Sequence, residues 1–183
     1  MSAARAIGPT PRVLLREFTP ADADDLYALD ADPRVMRYIG DGRVGTREDV
    51  ATNLPRAIRR YADHPGLGSW HATLRDSGRF IGWVSLKYAG DSPDIEIGYR
   101  LRVEAWGRGL ATELAGSMVV RGFASLRLDR IIGVTHPENQ ASQNVLRKIG
   151  MRDEGWGRYY DQDLRLFAIG REDWLAHGGE QRG

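Results

Sequence analysis

The stretch that decides the reading is Trp106-Gly107-Arg108-Gly109-Leu110-Ala111-Thr112-Glu113. Before it, Ile95, Ile97, Tyr99 and Leu101 alternate with Glu96, Gly98 and Arg100, the period of a strand. After it, Leu110, Ala111, Leu114, Ala115, Met118, Val119 and Phe123 recur at i, i+3 and i+4, the stripe of an amphipathic helix that runs to about Leu126 with one face on a sheet. Two glycines let the chain turn sharply and present its N–H groups with no Cβ in the way. The helix that follows leaves its first N–H groups unpaired and carries partial positive charge at its start. Strand, glycine turn and helix start together form a cradle for an anion, most often phosphate. Arg108 adds a full positive charge to it. A second reading stays open at this level, a tight strand-to-helix turn that needs glycine for geometry alone.

Two phosphate-binding patterns test the spacing. In G-x-G-x-x-G, Gly107 and Gly109 fit, but Thr112 stands where the third glycine belongs, although Asp129 lies near the distance expected of a ribose ligand. That turn should also open the first unit of a parallel sheet, and here it falls past mid-chain, after several hairpin-like strands. The lysine-bearing G-x-x-x-x-G-K-[ST] loop is absent.

Three segments taken together are more specific: Glu96-Ile97-Gly98-Tyr99-Arg100-Leu101, the turn 106–113, and Asn139-Gln140-Ala141-Ser142 followed by Val145-Leu146-Arg147-Lys148-Ile149-Gly150-Met151. In order and spacing they resemble the GNAT acetyltransferase superfamily, and within it the ribosomal-protein alanine acetyltransferase (RimJ/RimL-like) type. The resemblance covers residues 13–174. Many superfamily members begin the turn with Gln or Arg; Trp106 is a variant common in the RimJ/RimL type. The resemblance implies an α/β (α+β) fold with a mixed, mostly antiparallel central sheet, helices on both faces and a splayed parallel strand pair. It implies acetyl-CoA as the donor. Backbone groups of Tyr99, Arg100 and Leu101 would bind the pantetheine arm, as in strand addition. Trp106, Gly107, Arg108, Gly109, Leu110, Ala111 and Thr112 would hold the pyrophosphate, with Asn139 and Ser142 as further donor contacts.

The whole chain agrees with a soluble enzyme. At 183 residues it is long enough to bury a full core as one domain, expected over residues 12–175, with a flexible arm at 1–11 and a disordered tail at 176–183. Hydrophobic residues at 42% and charged residues at 28% are ordinary for a globular protein. No apolar run reaches membrane-spanning length and no secretory h-region is visible, so no membrane partner is expected and the cytoplasm is the expected compartment. The lack of cysteine excludes a disulfide scaffold and a thiol nucleophile. A net charge of +1 gives no footprint for nucleic acid. His64, His71, His136 and His177 show no ligand spacing, so no metal is expected.

Along the chain, Val13-Leu14-Leu15 reads as a strand, Thr19-Pro20-Ala21-Asp22 as a helix start and Asp32-Pro33 as that helix's end. Thr46-Arg47-Glu48-Asp49 starts a second helix, which Pro55 should kink or restart with Asn53 as a new cap. Residues 34–45 between them read either as one wall of an acceptor pocket, by the resemblance, or as a loop tucking Met36, Tyr38 and Ile39 into the core. Residues 69–74 and 79–88 form two antiparallel strands about Asp76-Ser77-Gly78. Gly98 within its strand points to a bulge or a close approach. Residues 130–135 make a strand that completes a βαβ crossover. Asn139 caps a helix with Ala141, Val145, Leu146 and Ile149 inward and Gly150 at its stop. A last hairpin turns about Asp161-Gln162, and its Trp156, Tyr159 and Tyr160 either overhang an acceptor or merely pack.

Acetyl transfer to an amine leaves the protein few tasks, because the thioester is already activated and alignment supplies much of the rate. A backbone N–H near Tyr99, Arg100 and Leu101 is the candidate for the carbonyl oxygen; one such donor is worth about 10²–10³ in rate. Many superfamily members protonate the thiolate with a tyrosine on the helix after the Asn cap, at the position of Leu146 here, which cannot donate. Ser142 is the hydroxyl that the RimJ/RimL type offers instead, or it merely reinforces the helix start. Glu96 is the best-placed carboxylate to take the amine proton; alternatively it pairs with an arginine such as Arg100. The acceptor is a primary amine, a protein N-terminus by resemblance or a small molecule, and the enzyme a monomer or homodimer. The rival from another class is a non-catalytic acetyl-CoA-binding regulator of the same fold.

Overall fold

The computed structural model describes residues 6–7 and 10–179. Most of the expected arm (1–5 and 8–9) and the end of the expected tail (180–183) lie outside the described residues. The fold is mixed α/β. Among the described residues eight strands form one sheet in the order β1-β2-β3-β4-β5-β6-β8-β7. These are β1 (Ala6–Ile7), β2 (Val13–Glu17), β3 (Gly68–Leu74), β4 (Phe80–Tyr88), β5 (Ile95–Leu101), β6 (Arg130–Thr135), β7 (Arg152–Tyr159) and β8 (Gln162–Gly170). The sheet is mostly antiparallel, and β5 and β6 are its parallel pair. The residues cluster into two compact units, Met1–Ser85 with Tyr99–Ala111, and Leu86–Gly98 with Thr112–Gly183, so that the division runs through β4 and β5.

In the first unit β2 pairs with β3, from Val13 opposite Leu74 to Glu17 opposite Trp70. Trp70 is a core residue. Ala6 and Ile7 pair with Arg16 and Leu15, a contact that no local signal announced. Thr19 opens a 3₁₀ turn (Pro20–Asp22) into α1 (Ala23–Asp30), and its N–H donates to the Asp22 carboxylate at 2.7 Å. Asp32-Pro33 does more than end this helix. The Asp32 carboxylate accepts the Arg34 N–H at 2.9 Å and caps a new turn, α2 (Pro33–Met36). Of the three apolar residues in the following joint, only Met36 is buried.

The third helix, α3 (Arg47–Asp63), is closed at its start by the reciprocal Thr46–Asp49 capping box. It runs unbroken through Pro55, against expectation. Proline removes one N–H and crowds the carbonyl a turn earlier. Ala51 and Pro55 both face solvent, so water can serve that carbonyl. Val50 and Leu54 meanwhile pack on Phe18 and hold the helix down on its other face.

In the second unit Glu96 of β5 stands opposite Ile132 of β6, and β8 lies between β6 and β7. The helix after the glycine turn is α4 (Leu110–Val120), extended by a π-helical turn (Arg121–Ser125) that ends beside the expected Leu126. Leu114, Ala115, Met118, Val119 and Phe123 of its predicted stripe are buried. Asn139 caps α5 (Gln140–Lys148) as expected, and the helix stops in a Schellman motif, with Gly150 N–H on the Arg147 carbonyl and Met151 N–H on that of Leu146. Ala141 is exposed, not inward; Gln143 takes the buried place. Its Nε2 donates to the Pro137 carbonyl at 2.7 Å and its Oε1 accepts from Arg147 at 3.2 Å, which makes the amide acceptable in the interior. β8 leads into α6 (Arg171–Ala176), whose Trp174 packs on Phe123.

The final hairpin turns one residue earlier than expected. Tyr159 pairs with Gln162, which leaves Tyr160 and Asp161 as the loop, both with positive φ (53° and 59°). Two left-handed central residues define the turn that matches the twist of a two-residue hairpin.

Candidate active site

The first unit holds the glycine turn and the end of β5. Gly107 and Gly109 have φ of +68° and +74°, the left-handed region that disfavours a side chain. A Cβ on Gly107 would meet nothing within 4 Å, so backbone conformation and not crowding demands the glycine. Among the described residues, the N–H groups of Gly107, Arg108 and Gly109 find no acceptor. Such groups beside a helix start are what an anion cradle requires. The Trp106 indole N–H donates to the Leu101 carbonyl at 2.8 Å and ties the turn back to β5. Arg12, which the sequence reading missed, donates from Nη1 to the Arg108 carbonyl at 2.9 Å and brings a second guanidinium to the turn. Being 96 residues away, it left no local signal.

Tyr99, Arg100 and Leu101 are the last residues of β5. The Arg100 guanidinium bonds Asp30 at 2.6 Å and lies 5.2 Å over the Trp83 ring. Arg100 is therefore not the partner of Glu96. Gly82 of β4 comes close to the backbone of this strand. A Cβ there would lie 2.1 Å from the Arg100 carbonyl oxygen.

The second unit holds Glu96, Thr112, Asn139 and Ser142. Glu96 is 7% exposed, which the alternation of its strand did not foretell. Its Oε2 accepts from the Tyr160 hydroxyl and lies 3.6 Å from Lys87 Nζ, which itself donates to the Tyr160 oxygen at 3.0 Å. Burial raises the Glu96 pKa, and Lys87 and Tyr160 work against that rise. Two residues earlier, just before β5, Asp94 accepts from the Tyr159 hydroxyl at 2.7 Å. Burial, with Asp94 beside it, pushes Tyr159 up to about 12. The hairpin's two tyrosines thus each hold one carboxylate, Asp94 just before β5 and Glu96 on it. Thr112 sits in the first turn of α4. Asn139 Oδ1 accepts the Ser142 N–H at 3.1 Å, and Ser142 is half-buried one turn into α5. Leu146 is 1% exposed, and the place of a Cβ on Gly133 would lie 2.6 Å from its Cδ2. The residue at the family's usual tyrosine position is plain core.

One further group was invisible in the sequence. Asp22, Asp25 and His71 bring one ligand atom each within 4.8 Å. Arg16 already holds both Asp22 oxygens, at 2.7 and 2.8 Å, so the Asp22 carboxylate of this group is neutralised by an ion pair.

Residues 12–152 match the acetyltransferase (GNAT) domain family. The chain belongs to the GNAT acetyltransferases. The GNAT enzyme is 33% identical over 178 residues to the uncharacterized N-acetyltransferase YnaD of Bacillus subtilis (strain 168), covering 90% of this chain and 97% of that one. It is 32% identical over 178 residues to the FsC-acetyl coenzyme A-N(2)-transacetylase of Aspergillus fumigatus, covering 87% of this chain and 71% of that one. Among solved structures, Mycobacterium smegmatis RimJ in complex with CoA-disulfide superposes with a TM-score of 0.74 at 22% identity, over 96% of this chain and 95% of that one, a likeness of fold. The enzyme is an acetyl-CoA-dependent N-acetyltransferase. The dinucleotide reading of the glycine turn falls, because a mostly antiparallel sheet with one parallel pair is not the doubly wound sheet that reading needs.

Proposed function

We propose that the enzyme, with residues 12–175 as its acetyltransferase domain, is of the RimJ/RimL-like type and moves the acetyl group directly to a primary amine, with a protein N-terminus as the acceptor class. The observation that carries the donor half is the run of three turn amides, 107–109, that find no acceptor among the described residues and lie beside the Arg12 side chain. In this reading the residues 106–112 hold the pyrophosphate, the backbone of Tyr99, Arg100 and Leu101 takes the pantetheine arm, and Asn139 and Ser142 complete the donor contacts. The amine nitrogen attacks the thioester carbon, and one backbone N–H near residues 99–101 steadies the oxygen as it gains charge. The C–N bond forms and the C–S bond breaks. Glu96 takes the amine proton, and the Ser142 hydroxyl gives a proton to the departing thiolate and regains one from water. A free N-terminal amine, with a pKa of about 8, is partly neutral at pH 7 and asks little of the base. Burial of Glu96 suits the role, since it raises the proton affinity of a carboxylate.

An aminoglycoside acetyltransferase, AAC(6')-Ib, shares the fold with a TM-score of 0.75, which supports a second acceptor class, a small amine. A CoA-release assay over peptides with free N-termini and a panel of small amines separates the two. Turnover on peptides and none on small amines is the expected result. No release with any acceptor, together with acetyl-CoA binding, returns the reading to a non-catalytic regulator.

A further inference from the structure

Tyr160 breaks a local rule. It occupies the first loop position of a two-residue hairpin, with φ of +53°, where asparagine or glycine is the unstrained choice and a bulky aromatic is an outlier. Such violations concentrate at functional sites, where a side chain is needed more than a relaxed backbone. The ring is also half in solvent (47% exposed), so core packing does not account for it. Its hydroxyl is what the position delivers. It donates to Oε2 of the buried Glu96, while Lys87 Nζ donates to the same phenolic oxygen at 3.0 Å and stands 3.6 Å from the carboxylate. The Lys87 ammonium also lies 5.4 Å from the Tyr160 ring centre.

We infer that Tyr160 is a positioning residue for Glu96: its hydroxyl, backed by Lys87, fixes the carboxylate of β5 and holds it as the anion that a base must be. The inference rests on the reading of Glu96 as the proton acceptor. The groups that face Glu96 are Lys87 from β4 and Tyr160 from the hairpin loop. Tyr159, bonded to Asp94, also feels its charge. Ile132 of β6, opposite Glu96 in register, brings none. Burial alone would favour the neutral acid. A phenol that donates to the carboxylate, polarised by an ammonium behind it, favours the anion. Without that hydroxyl the anion loses a donor, proton affinity rises, and the base is protonated over more of the neutral range.

The test is Tyr160→Phe, which keeps the ring and the loop and removes one oxygen. The Glu96 carboxyl is followed by carbon-13 NMR on glutamate-labelled enzyme, its signal assigned by loss in Glu96→Gln, and the pH profile of kcat/KM is measured alongside. In Tyr160→Phe the Glu96 midpoint is expected to rise by about one pH unit, the order of a charge-assisted hydrogen bond. The acid limb of kcat/KM moves up with it, turnover recovers above the limb, and KM for acetyl-CoA stays put. Lys87→Met should move the midpoint in the same direction. A Glu96 midpoint unchanged in Tyr160→Phe overturns the inference, and so does one that falls in Lys87→Met. If the midpoint moves while the acid limb stays, the hold on Glu96 stands and its assignment as the base falls. That result separates the two failures.

Discussion

Gly82→Ala is a sharp test of how β4 shapes the strand on which the donor reading rests. The new Cβ would lie 2.1 Å from the Arg100 carbonyl oxygen and 2.8 Å from the Leu101 Cα, both backbone atoms that cannot rotate away. The first distance is more than an ångström inside a normal C···O contact of about 3.3 Å. Gly82 also has φ of +134°, a region that side chains rarely adopt. Strain of that kind costs about 1–3 kcal/mol. Overpacking a fitted interior adds about 1–3 kcal/mol. A combined loss of about 4 kcal/mol lowers Tm by about 8–16 °C in a chain of this size. Gly78→Ala is the matched control. It too has positive φ, +65°, but its Cβ meets nothing within 4 Å. It should lose only the left-handed strain of about 1 kcal/mol, a fall in Tm of about 2–4 °C. Thermal melts by circular dichroism read both, and calorimetric titration with acetyl-CoA reads whether displacing residues 100 and 101 weakens the donor. A Gly82→Ala enzyme that melts within a few degrees of Gly78→Ala, with donor affinity intact, refutes the reasoning.

Other outcomes follow from the same geometry. Ser142→Ala should lower kcat by about a hundredfold, the low end of general acid catalysis, and change KM for acetyl-CoA far less; undiminished turnover removes Ser142 from the chemistry. Arg12→Ala removes a charge and the 2.9 Å bond to the Arg108 carbonyl. It should weaken acetyl-CoA by about fivefold, an effect that shrinks as salt rises, and a salt-independent loss would mean that only the loop's shape had changed. For Glu96 the folded pKa is raised, so its favourable contribution to stability is whole below the unfolded value of about 4.3 and is lost as pH rises through the folded value. The Tm of Glu96→Gln minus that of the parent should therefore grow between pH 4 and pH 8, and a flat difference would contradict the burial argument.

The fold and the glycine turn's conformation were largely legible because their signals are local. Glycines at positions 107 and 109, the strand before them and the helix stripe after them lie within one stretch of chain, and their meaning depends on period and φ alone. The same holds for the Thr46 and Asn139 caps and the Gly150 stop, each set by bonds spanning a few residues. Where the local rule and the solvent disagreed, the reading slipped. Pro55 breaks a helix in principle, but α3 crosses it with Ala51 and Pro55 on its solvent side and Val50 and Leu54 packed on Phe18.

The amino-acid sequence by itself determined which segments become strand, turn and helix, and where two glycines turn the chain into a helix start. Only tertiary structure decided which side chains surround the acidic residue on β5. Lys87, Tyr159 and Tyr160 reach Glu96 and Asp94 from other strands and from a hairpin loop over 60 residues away, and Arg12 reaches Arg108 from further still. Periodicity tells which face of a strand a residue occupies. The charge state of a carboxylate depends instead on burial and on partners brought in through space, and no interval along the chain encodes them.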